Sequence, residues 1–258
     1  MRRWLFIGLI ALSLSSCGYQ YPSADRDSAA VQESMPLAEA PSLSELLPES
    51  LRHTQMEDRF WYSGWVASFI GKRQINSMFD GIIQIPDGFV ANTRVNANPL
   101  RFIHWDGRNF IDARGRWVEL PRSHAGPDPF ASMETWTEWA PKLDEVRTSS
   151  VLGLPAWHFR GTVSMEEWLE WDPRAASTPV FEGGTVADAS VQVEVWIGRE
   201  DPYLYQYRVT YDFPLPGAGR LKQEVFFRFY RFGDPGIEPV RMEDIERFLE
   251  ESRTQDGF

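Results

Sequence analysis

The chain reads as an α+β protein dominated by β-structure: one long antiparallel sheet with a few helices. Three observations predict this. From Phe60 onward apolar residues recur with period two, the spacing of strands buried on one face. Turn-forming groups such as Pro86-Asp87-Gly88, Asp106-Gly107 and Arg114-Gly115 punctuate that pattern at intervals of about ten residues, as a continuous antiparallel sheet requires. Finally, 11 Trp and 17 Phe among 258 residues supply enough large apolar groups for a substantial core. That core must come from packing alone, because Cys17 is the only cysteine and no intramolecular disulfide can form.

The elements follow in chain order. Arg2 and Arg3 precede an apolar stretch over residues 4–14, about 11 residues against the roughly 20 that a membrane-spanning helix needs. This pattern is that of a secretory signal. Leu14-Ser15-Ser16-Cys17 resembles the lipobox, where signal peptidase II cuts before a cysteine that carries diacylglycerol. Residues 1–16 are therefore expected to be removed as a lipoprotein signal peptide, leaving Cys17 acylated as an anchor on the extracytoplasmic side of a cell membrane. Two or three acyl chains hold stably where one is marginal. An ordinary signal peptide with an incidental cysteine is the alternative, and Arg2-Arg3 alone is too little for a twin-arginine signal. Gly18 does not discriminate between inner and outer membrane.

Residues 17–54 are rich in Ser, Ala, Pro and Glu without large apolar periodicity, the composition of a flexible tether, with a short helix at 44–51. A single folded domain is expected at 55–252 and a tail at 253–258. Its first strand places Trp61, Trp65 and Phe69 on one face; the second places Ile75, Phe79, Ile83 and Ile85; the third, Phe89, Ala91, Thr93 and Val95. Shorter strands follow at 100–105, 109–112 and 116–120, then a Pro/Gly loop at 121–128. Phe130, Met133, Trp136 and Ala140 recur at helical spacing, with Asp128 as N-cap and Pro129 at the first helical position. This helix ends near Pro141 or runs on weakly to Val146. Sheet resumes at Trp157, Phe159 and Val163, helical turns follow at 165–171, and 172–188 reads as a loop.

Three long strands complete the sheet. Val191, Val193, Val195 and Ile197 mark the first; Tyr203, Tyr205, Tyr207, Val209 and Tyr211 the second; Val225, Phe227 and Phe229 the third. Gln206, Arg208 and Thr210 take the opposite face of the middle strand, giving apolar-in, polar-out alternation. A last helix at 243–252 carries Ile245, Phe248 and Leu249 on one side.

The formal charge of −11 becomes −13 once Arg2 and Arg3 leave, since residues 1–17 hold no acid. So acidic a chain argues against nucleic acid and offers no electrostatic pull toward anionic lipid. Catalysis would need a positioned nucleophile, base or metal set. His53, His104, His124 and His158 lack metal-ligand spacing, and no G-x-S-x-G elbow or phosphate-cradling glycine loop occurs. Glu166, Glu167, Glu170 and Asp172 could be offered as a carboxylate pair, but their interleaving with Trp168, Leu169 and Trp171 fits a solvated helix face better. No enzyme, metal or cofactor is expected.

Several stretches together resemble the LolA/LolB lipoprotein-carrier superfamily and the related LppX/LprG-type lipoproteins. They are the lipobox at Cys17, Ser63-Gly64-Trp65, Phe79-Asp80-Gly81-Ile82-Ile83 running to Pro86-Asp87, the hairpin Trp105-Asp106-Gly107 to Gly115-Arg116-Trp117, and Val193-Glu194-Val195-Trp196-Ile197 before the strand through Tyr211. The resemblance spans most of residues 58–232. It implies a strongly curved antiparallel sheet, an open half-barrel, whose open side is covered by helices and whose apolar cavity accepts acyl chains.

The expected function is that of a membrane-anchored, non-catalytic lipoprotein that binds a lipid or lipoprotein acyl chain. A curved sheet of about eight strands encloses more space than its side chains need fill. The cavity candidates are Trp65, Phe69, Phe79, Ile83, Phe89, Val195, Tyr205, Tyr207, Phe227 and Phe229. The alternative is a sensory or protein-interaction lipoprotein of the same fold, acting in envelope stress, cell-wall assembly or sporulation. Its contact surface would be the 172–188 loop with Tyr62, Trp196 and Tyr230, facing an envelope protein partner.

Overall fold

Among the described residues, eleven antiparallel strands join into one curved, unclosed sheet in the computed structural model of the chain. The structure describes residues 40–70, 73–86, 88–95, 98–112, 117–120, 136, 140–171, 189–215, 219–241, 243–247 and 250. The strands are β1 (Arg59–Ile70), β2 (Arg73–Gln84), β3 (Gly88–Val95), β4 (Asn98–Trp105), β5 (Arg108–Asp112), β6 (Trp117–Leu120), β7 (Glu145–Val151), β8 (Leu154–Ser164), β9 (Ser190–Gly198), β10 (Leu204–Leu215) and β11 (Gly219–Tyr230). Their order is β6-β5-β4-β3-β2-β1-β11-β10-β9-β8-β7. Two meanders, β1–β6 and β7–β11, are thus joined where the first strand pairs with the last, from Trp61↔Tyr230 to Ile70↔Leu221. β6 and β7 form the two edges.

Local turn chemistry produces the meanders. Asp106 and Gly107 take φ of 46° and 69° between β4 and β5, and Leu152 and Gly153 take 52° and 82° between β7 and β8. Paired left-handed residues match the twist of the flanking strands. The second hairpin departs from expectation. Glu145–Val151 is a strand that the sequence did not mark, starting where the expected helix could have run on to Val146, because its residues pair with β8 from Glu145↔Arg160 to Val151↔Leu154.

Strand alternation gives the sheet a concave and a convex face. One unbroken concave row crosses nine strands: Leu100, Thr93, Phe79, Gly64, Phe227, Tyr207, Val195, Phe159 and Val146 are successive register partners. Phe60, Tyr62 and Phe159 are 0% exposed on this face, and each such side chain contributes about 1.5–3 kcal/mol of burial. The concave set of β1 is therefore Phe60, Tyr62 and Val66. Trp61, Trp65 and Phe69, expected to face the core, stand on the convex side, where Trp65 stacks on its partner Phe226 with ring centroids 5.8 Å apart.

Helix α1 (Leu43–Met56) lies over the concave face. Leu43, Leu47 and Leu51 recur one turn apart and are buried in the main core, and Ser50 and Thr54 are buried beside them. Thr54 Oγ1 accepts a hydrogen bond from Leu204 N at 3.0 Å, fixing the last turn of the helix to the start of β10. This moves the boundary of the folded body back from 55 to Leu43. The expected tether at 17–54 loses its C-terminal third, because those leucines find an apolar face to cover. Helix α2 (Met165–Trp171) covers the other end of β8 and β9 with Met165 and Trp168. It starts in a capping box: Glu167 N donates to Ser164 Oγ at 3.2 Å and Ser164 N to Glu167 Oε2 at 3.2 Å. Trp136 drops onto the middle of the concave face, edge-on to Tyr207 at 4.8 Å. Most of the expected 130–140 helix and the whole 172–188 loop lie outside the described residues.

The convex face has its own cover. Val90, Ile103, Trp105 and Phe110 pack against Ile245, which sits in a helical turn at 243–247. Gln84 clamps this C-terminal segment, its amide nitrogen donating to Val240 O at 3.2 Å and its carbonyl accepting from Val240 N at 2.9 Å.

Candidate functional site

The concave face is the candidate site, and seven of the ten expected residues share it. Phe79, Ile83, Phe89, Val195, Tyr207, Phe227 and Phe229 all belong to, or pack against, its main apolar cluster. Gly64 is central to their arrangement. A Cβ on it would lie 2.7 Å from Phe227 Cδ1, and in that vacated space the rings of Phe79 and Phe227, from strands on either side of β1, stack at 6.0 Å and 15°. Trp65 and Phe69 are on the opposite face. Tyr205 is displaced by a register shift between Leu204 and Gln206. The bulge turns Leu204 and Tyr207 inward and sends Tyr205 to a satellite cluster with Val151, Ala156 and Trp196.

Cover along this face is uneven. At the α1 end Phe60, Tyr62, Ile83, Phe89 and Phe229 are buried. Toward the opposite end, beyond the reach of α1 and beside α2, the same face of β11 and β1–β4 is half-buried at Val225, Val66, Ile75, Phe79, Val95 and Leu100, although Leu221, nearer the tip of β11, is buried. We call this the open end. Thr93 sits at the transition, buried, with its hydroxyl lacking a partner among the described residues. Val66, Leu100 and Thr93 were not among the expected site residues: Val66 has the parity the sequence assigned to the other face, and a hydroxyl gives no apolar signal.

Charge is segregated between the two faces. Among the described residues, the concave positions of the eleven strands carry no Asp, Glu, Lys or Arg except Arg73 at the tip of β2. The only histidine there, His104, bonds Asn109 Oδ1 at 2.7 Å and stacks on Phe89 at 5.4 Å. The convex face carries the ions. His158 Nε2 donates to Glu194 Oε2 at 3.0 Å, and Arg208 lies 3.7 Å from Glu194 and 3.2 Å from Glu224. Burial pulls the Glu194 carboxyl up, but the His158 hydrogen bond and the charges of Arg208 and Arg160 outweigh it and hold it below the ordinary carboxylate value. The His158 ring also stacks on Trp196 at 4.1 Å and 4°.

The residues offered for chemistry do not converge. His158 is on the convex face of β8, whereas Glu166 is exposed on α2, which covers the concave face. Glu167 is engaged in its helix cap and bridged to Lys142, a bond that holds its carboxyl below the ordinary value. Asp172 and His124 lie outside the described residues. No three His, Cys, Asp or Glu side chains among the described residues are grouped to hold a metal. The contact set of the interaction alternative also changes: Tyr62 is 0% exposed on the concave face and Trp196 is 7% exposed, leaving Tyr230 half-buried on the convex side.

A curved, unclosed antiparallel sheet with helices over a charge-poor concave face is a LolA/LppX-like half-barrel. The lipoprotein LppX of Mycobacterium tuberculosis has this fold, matching 77% of this chain and 97% of its own with a TM-score of 0.50 at 13% identity. LprF from Mycobacterium bovis (78% and 97%, 0.44, 13% identity) and a LolA superfamily protein from Nitrosomonas europaea (79% and 97%, 0.33, 6% identity) are also similar. No family model and no curated protein matches the chain.

Proposed function

We propose that the chain is an extracytoplasmic lipoprotein, anchored through Cys17, that shelters a lipid or a lipoprotein acyl chain against the concave face without catalysis. The observation that carries this is the half-buried apolar strip, Val66, Ile75, Phe79, Val95, Leu100 and Val225, which continues directly into a buried aromatic floor. An acyl chain laid there would leave water at about 0.8 kcal/mol per methylene. No charged side chain of the strands would have to be desolvated, apart from Arg73 at the lip. The Thr93 hydroxyl would meet an oxygen of the ligand, an ester carbonyl for example.

The test is native mass spectrometry of the chain from Gly18 onward, purified from cells. Co-purified lipid, lost on Phe79→Asp, is the expected result. A ligand-free chain that also takes up no fatty acid or diacylglycerol would sink the proposal. Metabolic labelling with an alkyne palmitate tests the anchor separately, since Cys17→Ala should abolish label and membrane retention together. Sensing or protein contact is favoured by one observation of its own: Trp61, Trp65 and Tyr230 stand half-buried on the convex face, with Arg231 over the Trp61 ring at 5.8 Å. Trp and Arg of this kind anchor protein interfaces.

A further inference from the structure

Three neighbouring hairpins end together at the open end of the half-barrel, and each carries a cation there. Arg73 pairs with Ile70 at the tip of β1–β2, Arg94 with Pro99 at that of β3–β4, and Arg220 with Pro214 and Lys222 with Asp212 at that of β10–β11. All four are exposed. Among the described residues of β10 and β11 here, Asp212 accepts from Arg220 at 2.8 Å, which pairs that cation, and Glu224 lies 3.2 Å from Arg208. Exposed Glu166 and Glu170 belong to α2, which lies at this same end on the β8–β9 side and reaches β10 through Trp168 against Tyr211 at 5.8 Å. The opposite end of the sheet exposes Asp58, Asp106, Glu200 and Asp201, interleaved with Arg59, Arg108 and Arg199.

We infer that this cationic rim is a docking surface for an anionic lipid headgroup layer, with Arg73, Arg94 and Lys222 turned to the membrane. The chain as a whole is strongly acidic, but sign at the contact is what matters. The sheet is 12 residues deep at β1, about 40 Å at 3.3 Å per residue. Charge at the far end is therefore several Debye lengths from the surface, about 8–10 Å each at physiological salt, and is screened. Arg220 shares its charge with Asp212, so Arg73, Arg94 and Lys222 carry the excess charge of the rim, and they are within that length.

The rim also borders the half-buried strip of Val66, Ile75, Phe79, Val95, Leu100 and Val225. Docked this way, the concave face opens onto the lipid, so a chain leaving the bilayer need not cross water. Only that purpose rests on the proposed lipid-binding function; the docking follows from the charge pattern itself.

The test uses the chain from Gly18 onward, which keeps every described residue and has no acyl anchor, in flotation with phosphatidylcholine vesicles containing or lacking about a third phosphatidylglycerol. Binding should require phosphatidylglycerol and fall with salt. Arg73, Arg94 and Lys222 are each expected to contribute about fivefold, so Arg73→Gln/Arg94→Gln/Lys222→Gln should weaken binding on the order of a hundredfold. Arg59→Gln/Arg199→Gln at the opposite end should leave it unchanged. The single exposed change Lys222→Glu repeats the test with little risk to folding. A fluorophore at Asn98→Cys should be quenched by brominated lipid, while one at Glu200→Cys should not. Binding that ignores phosphatidylglycerol, or that the opposite-end variant weakens equally, would overturn the inference. So would a folded chain that does not bind vesicles, leaving the rim to an acidic protein partner.

Discussion

Thr93 and Tyr203 illustrate how single polar atoms are handled inside an aromatic fold. The buried Thr93 hydroxyl has no partner among the described residues, and such a group costs roughly 1–3 kcal/mol. Thr93→Val should raise the stability of the ligand-free chain by about 1 kcal/mol in urea denaturation while reducing the lipid it retains. A destabilised variant would mean that the hydroxyl is satisfied in solution. Tyr203 donates to Glu57, and that bond, helped by burial, pushes its hydroxyl from 10.0 up to about 12. The neutral phenol is the bonded form, so its stabilisation is complete below pH 10 and lost as pH rises through 12. Absorbance titration of tyrosinate should show this late step, and Tyr203→Phe should diminish it, the remainder being what burial of Tyr205 and Tyr230 holds back. An unchanged titration curve would refute the assignment.

At the scale of elements, α1 determines which face of the sheet is the inside. Leu43, Leu47 and Leu51 close over strands that begin with Phe60 and Leu204, and without them that apolar floor would face water. Leu47 is 0% exposed, so Leu47→Ala should cost about 2–5 kcal/mol. A chain beginning at Asp58 should unfold at markedly lower denaturant than one beginning at Ala40. Equal midpoints would return α1 to the tether. The β7–β8 hairpin makes a related point. Glu145–Val151 has few apolar residues, so its strand character comes from pairing with β8 and from the left-handed Leu152-Gly153 turn, not from its own pattern.

For the whole molecule, the decisive contact is β1 with β11. It ties residues 61–70 to 221–230 and makes the two meanders one sheet. Closing a loop of that length must precede the pairing that rewards it, so refolding should take milliseconds to seconds. Near- and far-ultraviolet circular dichroism should report one shared unfolding transition. Two separated transitions would divide the half-barrel into independent meanders. Charge is also a whole-molecule property here, because the rim cations come from hairpins far apart in sequence, and the net figure of −11 conceals them.

Much of the sheet was legible from alternation alone. β2, β3, β9 and β11 each show a dominant apolar parity, and their expected inward residues, Phe79, Ile83, Phe89, Val195, Phe227 and Phe229, do share the concave face. β1 was not legible, because both its parities are aromatic: Phe60 and Tyr62 on one side, Trp61 and Trp65 on the other. Tyr205 was misplaced because a bulge reverses parity without leaving a sequence mark. By itself, then, the sequence determined most of the strands, their turns and the pairs of faces, β7 excepted, since alternation is built into an extended backbone. Which face became the inside, and where cations gather, was decided only in three dimensions. Burial depends on which segment lands on a face, and surface charge depends on which tips end side by side.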